Sequence, residues 1–237
     1  MDTPMGPLPG GLRLGARIRA ALDAVGPSGL RAAIQAFLLG PEHFRAFRLL
    51  AKVEPMLLFP QDRASLSDLD RMLVEPGDIY AHLPTLFRLT RDGPRPRVLE
   101  LGTRSGDSTL ALLLAAKAIG GRVTSVDIEP CPEATARVKA AGLAPHWTFL
   151  LSDDLGLPWR DPIDHLFIDT SHRYEHTLEE LRKFEPFVVP GGVITLHDTT
   201  SHPEVWRAVE SYFRGRSDIE VYRYFHNNGF TVAEKRG

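Results

Sequence analysis

Val98-Leu99-Glu100-Leu101-Gly102-Thr103-Arg104-Ser105-Gly106-Asp107-Ser108 begins as an apolar run of strand length, turns through two glycines and enters a helix-compatible stretch. Glycine at 102 and 106 permits positive φ and close backbone approach, and the first turn of the following helix offers unpaired N–H groups to an anion. A carboxylate suits such a turn as well as a phosphate. Glu100 stands where the fingerprint Gly-x-Gly-x-x-Gly of diphosphate-binding turns would have its first glycine. Its side chain would repel a diphosphate and attract an ammonium, so the turn is expected to hold a ligand bearing both charges.

Outward from this turn, short apolar runs alternate with helical periodicity. Strands are expected over 98–101, 122–128, 147–151, 165–169 and 193–197, with helices over 105–119, 132–141, 174–187 and 204–213. Two closing runs, 220–225 and 230–233, flank His226-Asn227-Asn228-Gly229, whose Asn-Gly pair favours a tight hairpin. The expected architecture is α/β: a doubly wound, Rossmann-like, mostly parallel seven-stranded sheet with an antiparallel C-terminal edge hairpin. Ligands of such sheets bind beyond the carboxyl ends of the strands.

Upstream, residues 1–12 read as a Gly/Pro-rich tail and 13–91 as amphipathic helices. Asp78 is expected to cap the last of these, which runs through Tyr80, Leu83, Leu86, Phe87 and Leu89. The division is thus a helical extension over 1–93 and an α/β domain over 94–237. The apolar faces through Phe37, Phe44, Phe47 and Phe59 suit a cap over the substrate pocket, a dimer contact or completion of the core.

The 237 residues are 43% hydrophobic and 24% charged, which excludes disordered and collagen-like chains. With 28 basic against 30 acidic residues the net charge is −2, and no basic stripe with interleaved aromatics appears. Nucleic acid and membrane are therefore not expected partners, and a small molecule is. The single cysteine, Cys131, excludes an internal disulfide and suggests a reducing compartment. No leader pattern is visible, so a cytoplasmic location is the default expectation. Homo-oligomerisation stays open.

Asp127 ends the second strand about twenty residues beyond Gly106, where a carboxylate can accept both hydroxyls of a ribose. Asp153, after the third strand, is placed either to accept from an adenine amino group or to cap its own loop. At this point the chain resembles the class I S-adenosylmethionine-dependent methyltransferases over roughly 95–237. The resemblance rests on the motif at 98–108, on Ser125-Val126-Asp127-Ile128, on Phe167-Ile168-Asp169-Thr170-Ser171-His172 and on the run from Pro190 to Asp198, in that family's order. It implies a donor site in which Gly102, Thr103 and Gly106 approach the methionine portion. Glu100 would lie near the ammonium, Ser108 near the carboxylate, Asp127 at the ribose and Asp153 at the adenine.

Asp169 and Asp198 end the next two strands, where a methyl group would meet its acceptor. Two nearby carboxylates call for a cation or a shared proton, and hard oxygen ligands suit Mg²⁺. This is similar to the catechol and macrocin-type O-methyltransferase branch, in which aspartates at these strand ends hold a divalent metal. Thr199 stands where that branch commonly has Asn or Asp, a weaker ligand. The run from Asp169 to Glu175 also resembles cephalosporin-hydroxylase-like proteins. His172 is the candidate base, with Asp169 beside it; His176 follows one helical turn later, and His197 is expected to be an interior histidine. The expected activity is methyl transfer from S-adenosylmethionine to a small-molecule hydroxyl. The alternatives are an NAD(P)-dependent oxidoreductase, disfavoured by Glu100, and a nucleoside-binding protein without turnover.

Overall fold

The computed structural model describes residues 77–93 and 97–236. The helices expected before residue 77, and the phenylalanines on them, lie outside the described residues. Seven strands form one sheet: β1 (Arg97–Leu101), β2 (Arg122–Asp127), β3 (Trp147–Leu151), β4 (Ile163–Ile168), β5 (Val188–His197), β6 (Ile219–Tyr224) and β7 (Phe230–Lys235). Their order is β3-β2-β1-β4-β5-β7-β6. All neighbours are parallel except β5–β7 and β6–β7, as an edge hairpin requires. The chain reverses its winding between β1 and β4, which opens a crevice beyond the carboxyl ends of those two strands.

Five helices cover the sheet: α1 (Leu83–Arg91), α2 (Asp107–Ala118), α3 (Pro132–Ala140), α4 (Tyr174–Phe184) and α5 (Pro203–Phe213). Strand periodicity sorts the side chains into two cores. Val98, Val123 and Phe167 pack under α1 and α2 with Leu83, Leu86, Leu110 and Leu113. Leu99, Leu101, Leu166 and Ile168 pack on the opposite face with Leu181, Phe184, Val209 and Phe213. α2 is apolar on nearly every side because α1 lies along it and shields it from water.

Two departures from expectation have local causes. β5 begins at Val188, five residues before the apolar run at 193, because its pairing with β4 jumps from Ile163↔Val188 to His165↔Val193. Pro190-Gly191-Gly192 forms the bulge, with Gly191 at φ 78°. The other departure is Asp78. No side chain caps the 3₁₀ turn Tyr80–His82 or α1, and Asp78 pairs instead with Arg104 at 2.6 Å. Residues 77–81 are held by the C-terminal hairpin turn. Asn227 Oδ1 accepts from the Ala81 N–H (2.9 Å), Asn227 Nδ2 donates to the Gly77 carbonyl (2.9 Å) and Asn228 Nδ2 to the Asp78 carbonyl (3.2 Å).

Candidate active site

A cleft of about 140 Å³ opens at the β1/β4 reversal, lined by the turn after β1 with Asp169, Thr170, His172, His197 and Asp198, and by Asp78 and Ile79. Within the turn, Gly102 and Gly106 both have φ 88°. A Cβ at Gly102 would stand 2.0 Å from the Asp169 carbonyl oxygen, and one at Gly106 would stand 2.8 Å from Ala134 Cβ. Close approach is thus demanded first by the protein itself: Gly102 lets the ends of β1 and β4 touch, and Gly106 lets α2 start against α3.

Glu100 does not face the cleft. Strand alternation puts it on the Val98 side, under α2, where it is fully buried. Its carboxylate accepts from Ser108 Oγ (2.6 Å), Thr109 Oγ1 (2.7 Å) and Ser125 Oγ (2.5 Å). Burial pushes its pKa up to about 7 against the pull of these donors. The expected attraction between Glu100 and a ligand ammonium therefore has no geometric basis in this structure. Ser108 lines the cleft, but its hydroxyl proton is committed to Glu100. Thr103 is 3% exposed, lines the cleft and has a hydroxyl with no partner among the described residues.

Asp127 splints the turn. Its Oδ2 accepts from the Thr103 N–H (2.7 Å) and the Arg104 N–H (3.2 Å), and its Oδ1 from the Glu129 N–H (2.9 Å). Burial raises its pKa, but these donors outweigh burial and leave it below the ordinary value. Beside it, Ile128 is 71% exposed, and Leu151, which pairs with Asp127 across β2–β3, is 61% exposed. Two bare aliphatic side chains flanking a polar strand end are a feature that sequence reasoning missed, although Ile128 follows Asp127 directly. Asp153 is exposed, and its Oδ1 accepts from the Leu155 N–H at 3.2 Å, the loop-cap option.

The fold brings Asp169, His172, His197 and Asp198 together, with His202 added. His172 Nε2 lies 2.8 Å from Asp198 Oδ2 and 4.0 Å from Asp169 Oδ1. His197 Nδ1 is 3.4 Å from Asp169 Oδ2 and 3.6 Å from Asp198 Oδ2. His197 is buried as expected, yet it lines the cleft. The His202 ring stacks on His172 at 3.7 Å, and Ser201 Oγ donates to Asp198 Oδ1 at 2.5 Å. Asp198 has a left-handed backbone, φ 59°, which an Asp tolerates better than a branched residue. His202 was legible only as the residue four after Asp198.

The electrostatics follow from two carboxylates in a confined space. Their negative charge pushes His172 up to about 9. Burial works against both Asp169 and Asp198, but the histidines hold Asp169 well below the usual range, and His172, His197 and Ser201 lower Asp198. Among the described residues, Asp169, His197 and Asp198, and separately His172, Asp198 and His202, present ligand atoms within 4.8 Å of one another. Thr199 is in neither group. It is fully buried, its carbonyl accepts from Arg223, and its hydroxyl has no partner. The expectation that Thr199 completes a metal site is therefore not met; imidazoles occupy the places around the aspartates.

The family model described as a methyltransferase domain matches residues 99–199. No curated protein matches the sequence. Among solved structures, a protein from Corynebacterium glutamicum is 20% identical with a TM-score of 0.62, covering 81% of this chain and 98% of that one. The O-methyltransferase TomG from Streptomyces achromogenes, involved in tomaymycin synthesis and solved in complex with S-adenosylmethionine, is 22% identical with a TM-score of 0.54, covering 77% and 93%. An rRNA methylase from Streptococcus thermophilus is 18% identical with a TM-score of 0.53, covering 69% and 99%. The match over 99–199, the strand order and the turn after β1 agree in making this chain similar to methyltransferase domains, with a class I, Rossmann-like fold.

Proposed function

We propose that this protein transfers a methyl group from S-adenosylmethionine to a hydroxyl of a small molecule, and that His172 takes the hydroxyl's proton. The observation that carries this reading is the meeting of His172, Asp169 and Asp198 at the cleft formed by the turn after β1. The near-balance of 28 basic and 30 acidic residues favours a small acceptor over RNA.

The residues present fit the donor. A buried Thr103 hydroxyl without a partner among the described residues, on the cleft wall, is a group that a bound ligand satisfies. Asp127 retains acceptor capacity for ribose hydroxyls beyond its three N–H bonds. Ile128 and Leu151 offer apolar surface to an adenine ring, with Asp153 at its polar edge. The bound sulfonium supplies an electrophilic methyl carbon. What the chain must add is alignment of the acceptor oxygen and removal of its proton.

Asp198 and the stacked His202 ring fix the orientation of His172. A pKa of about 9 means that His172 carries a proton at neutral pH, so the free base grows as pH rises toward 9. Turnover by a metal-free enzyme is then expected to climb over that range. A second reading is favoured by the donor atoms within 4.8 Å: Asp169, Asp198 and His197 suit a divalent cation, whose Lewis acidity would lower the pKa of the acceptor hydroxyl; the two aspartates alone, with water, would suit Mg²⁺. Imidazole among the donors widens the choice to the first-row transition metals.

The test is a radiolabelled methyl-transfer assay over a panel of hydroxylated metabolites, before and after chelation, with thermal shifts for S-adenosylmethionine and for a pyridine dinucleotide. Donor-dependent stabilisation with label in a hydroxyl-bearing product supports the reading. Stabilisation by the dinucleotide alone overturns it, and donor binding without transfer to any acceptor favours a nucleoside-binding protein. Loss of activity on chelation favours the cation over unaided His172.

A further inference from the structure

A second cluster lies away from the cleft, where the loop after β3 meets α4. Asp154 is 6% exposed and Glu180 is fully buried, while His176 is partly open to solvent. His176 and Glu180 stand four apart on α4, so both point from one face toward Asp154. His176 Nε2 lies 3.1 Å from Asp154 Oδ2 and 3.5 Å from Glu180 Oε1. One ligand atom from each of the three falls within 4.8 Å of the others.

Among the described residues, Glu180 Oε2 is buried with no hydrogen-bond partner. A buried carboxylate oxygen without a partner is costly, and a second carboxylate beside it adds repulsion. The surroundings are also already braced. Thr170 Oγ1 donates to Glu180 Oε1 (2.6 Å), and the Leu155 N–H donates to Asp154 Oδ1 (2.7 Å). Lys183 donates to the Asp154 and Leu155 carbonyls (2.7 and 2.6 Å). Outer hydrogen bonds of this kind hold the ligand atoms in place for an ion, which would take the position of the protons that His176 and Glu180 otherwise hold.

We infer that Asp154, His176 and Glu180 form a binding site for a first-row transition-metal ion of the Zn²⁺ type, which ties the loop after β3 to α4. Two carboxylate oxygens and one imidazole nitrogen fit such an ion, whereas Mg²⁺ and Ca²⁺ prefer all-oxygen shells. The solvent-open flank at His176 leaves room for water as a further ligand. The function is structural: the ion would order residues 152–157, which include Asp153 at the adenine end of the proposed donor site. The inference does not depend on the methyl-transfer reading, because none of the three residues has a role in it.

The experiment uses chelator-stripped full-length protein titrated with Co²⁺, a spectroscopic substitute for Zn²⁺, read by visible absorption and by Tm. Asp198→Asn removes the cleft's central ligand and isolates the second site. That variant should bind one equivalent of Co²⁺ with micromolar or better affinity, gain Tm, and show slower amide exchange over 152–157. Adding Glu180→Gln or His176→Ala to it should abolish all three effects. Glu180→Gln is nearly isosteric and keeps an oxygen for the Thr170 hydroxyl, so its metal-free Tm should stay close to that of its parent. If the Asp198→Asn protein takes up no Co²⁺, or if Glu180→Gln leaves uptake unchanged, the inference is overturned and the two carboxylates share a proton instead. Either failure leaves the methyl-transfer assay unaffected.

Discussion

At the scale of single residues, Asp127 and Gly102 show how one side chain serves fold and ligand together. Asp127→Ala removes two N–H acceptors from the turn as well as the proposed ribose contact. Hydrogen bonds to a charged group are worth about 1.5–3 kcal/mol each. The donor Kd should therefore rise by at least about tenfold, measured by calorimetry, and Asp127→Asn should recover part of it. Gly102→Ala places a methyl group 2.0 Å from the Asp169 carbonyl at φ 88°. That clash is with backbone, so destabilisation of about 3 kcal/mol or more is expected in denaturant melts. His172→Ala should lower kcat by about 10²-fold or more with the donor Kd unchanged; full turnover would remove His172 as the base. The aspartates and the glycine turn were legible because each stands at a strand end, and His172 because it follows Asp169 on the same loop. Glu100 was misjudged because motif position was given more weight than parity: two residues from Val98, it must share the Val98 face. Thr199 and His202 were beyond sequence reach, since the left-handed turn at Asp198 decides which neighbours swing back toward the aspartates.

At the scale of elements, apolar periodicity located all seven strands, and the hairpin was legible in Asn227-Asn228-Gly229, each with positive φ. The start of β5 was not, because a bulge through Pro190-Gly191-Gly192 interrupts the periodicity on which the reading relied. Nor was the anchoring of residues 77–81, which depends on contacts across about 150 positions of sequence. α1 is tied in further by Thr90 Oγ1, 2.7 Å from His165 Nδ1, while His165 Nε2 meets Thr195 Oγ1 at 2.8 Å. Burial pushes His165 down to about 3, so it stays neutral and can bridge the two hydroxyls. Asp78 and Ile79 line the cleft, so the hairpin turn that holds residues 77–81 also holds one of its walls. Asn227→Ala removes two of the anchoring bonds and should cost about 1–3 kcal/mol. Amide exchange at 77–82 should accelerate more than exchange in β1. Equal acceleration in both would mean that the turn supports the fold as a whole and not this wall in particular.

At the scale of the whole molecule, Glu185, just after α4, ties together three segments: α5, the turn before β6 and the end of β7. It accepts from Arg216 (two bonds at 3.1 Å) and from the Tyr212 hydroxyl (3.0 Å), and pairs with Lys235 of β7 at 2.9 Å. The carboxylate is 6% exposed, so these partners are not mere surface pairs. Burial alone would raise its pKa, but Arg216, Lys235 and Tyr212 outweigh burial and leave it below its ordinary 4.5. A carboxylate with a depressed folded-state pKa binds fewer protons folded than unfolded between the two values. Its stabilisation is therefore complete above 4.5 and is lost as pH falls through the folded pKa. Glu185→Gln keeps the volume but not the charge, and at neutral pH it should destabilise by about 1–3 kcal/mol, the range for hydrogen bonds to a charged group. The difference between wild type and variant in urea melts should stay constant from neutral pH down to about 4.5, then shrink and vanish below the folded pKa. A difference that grew on acidification would mean that Glu185 is held protonated in the fold and that its pairs with Arg216 and Lys235 add no net stability.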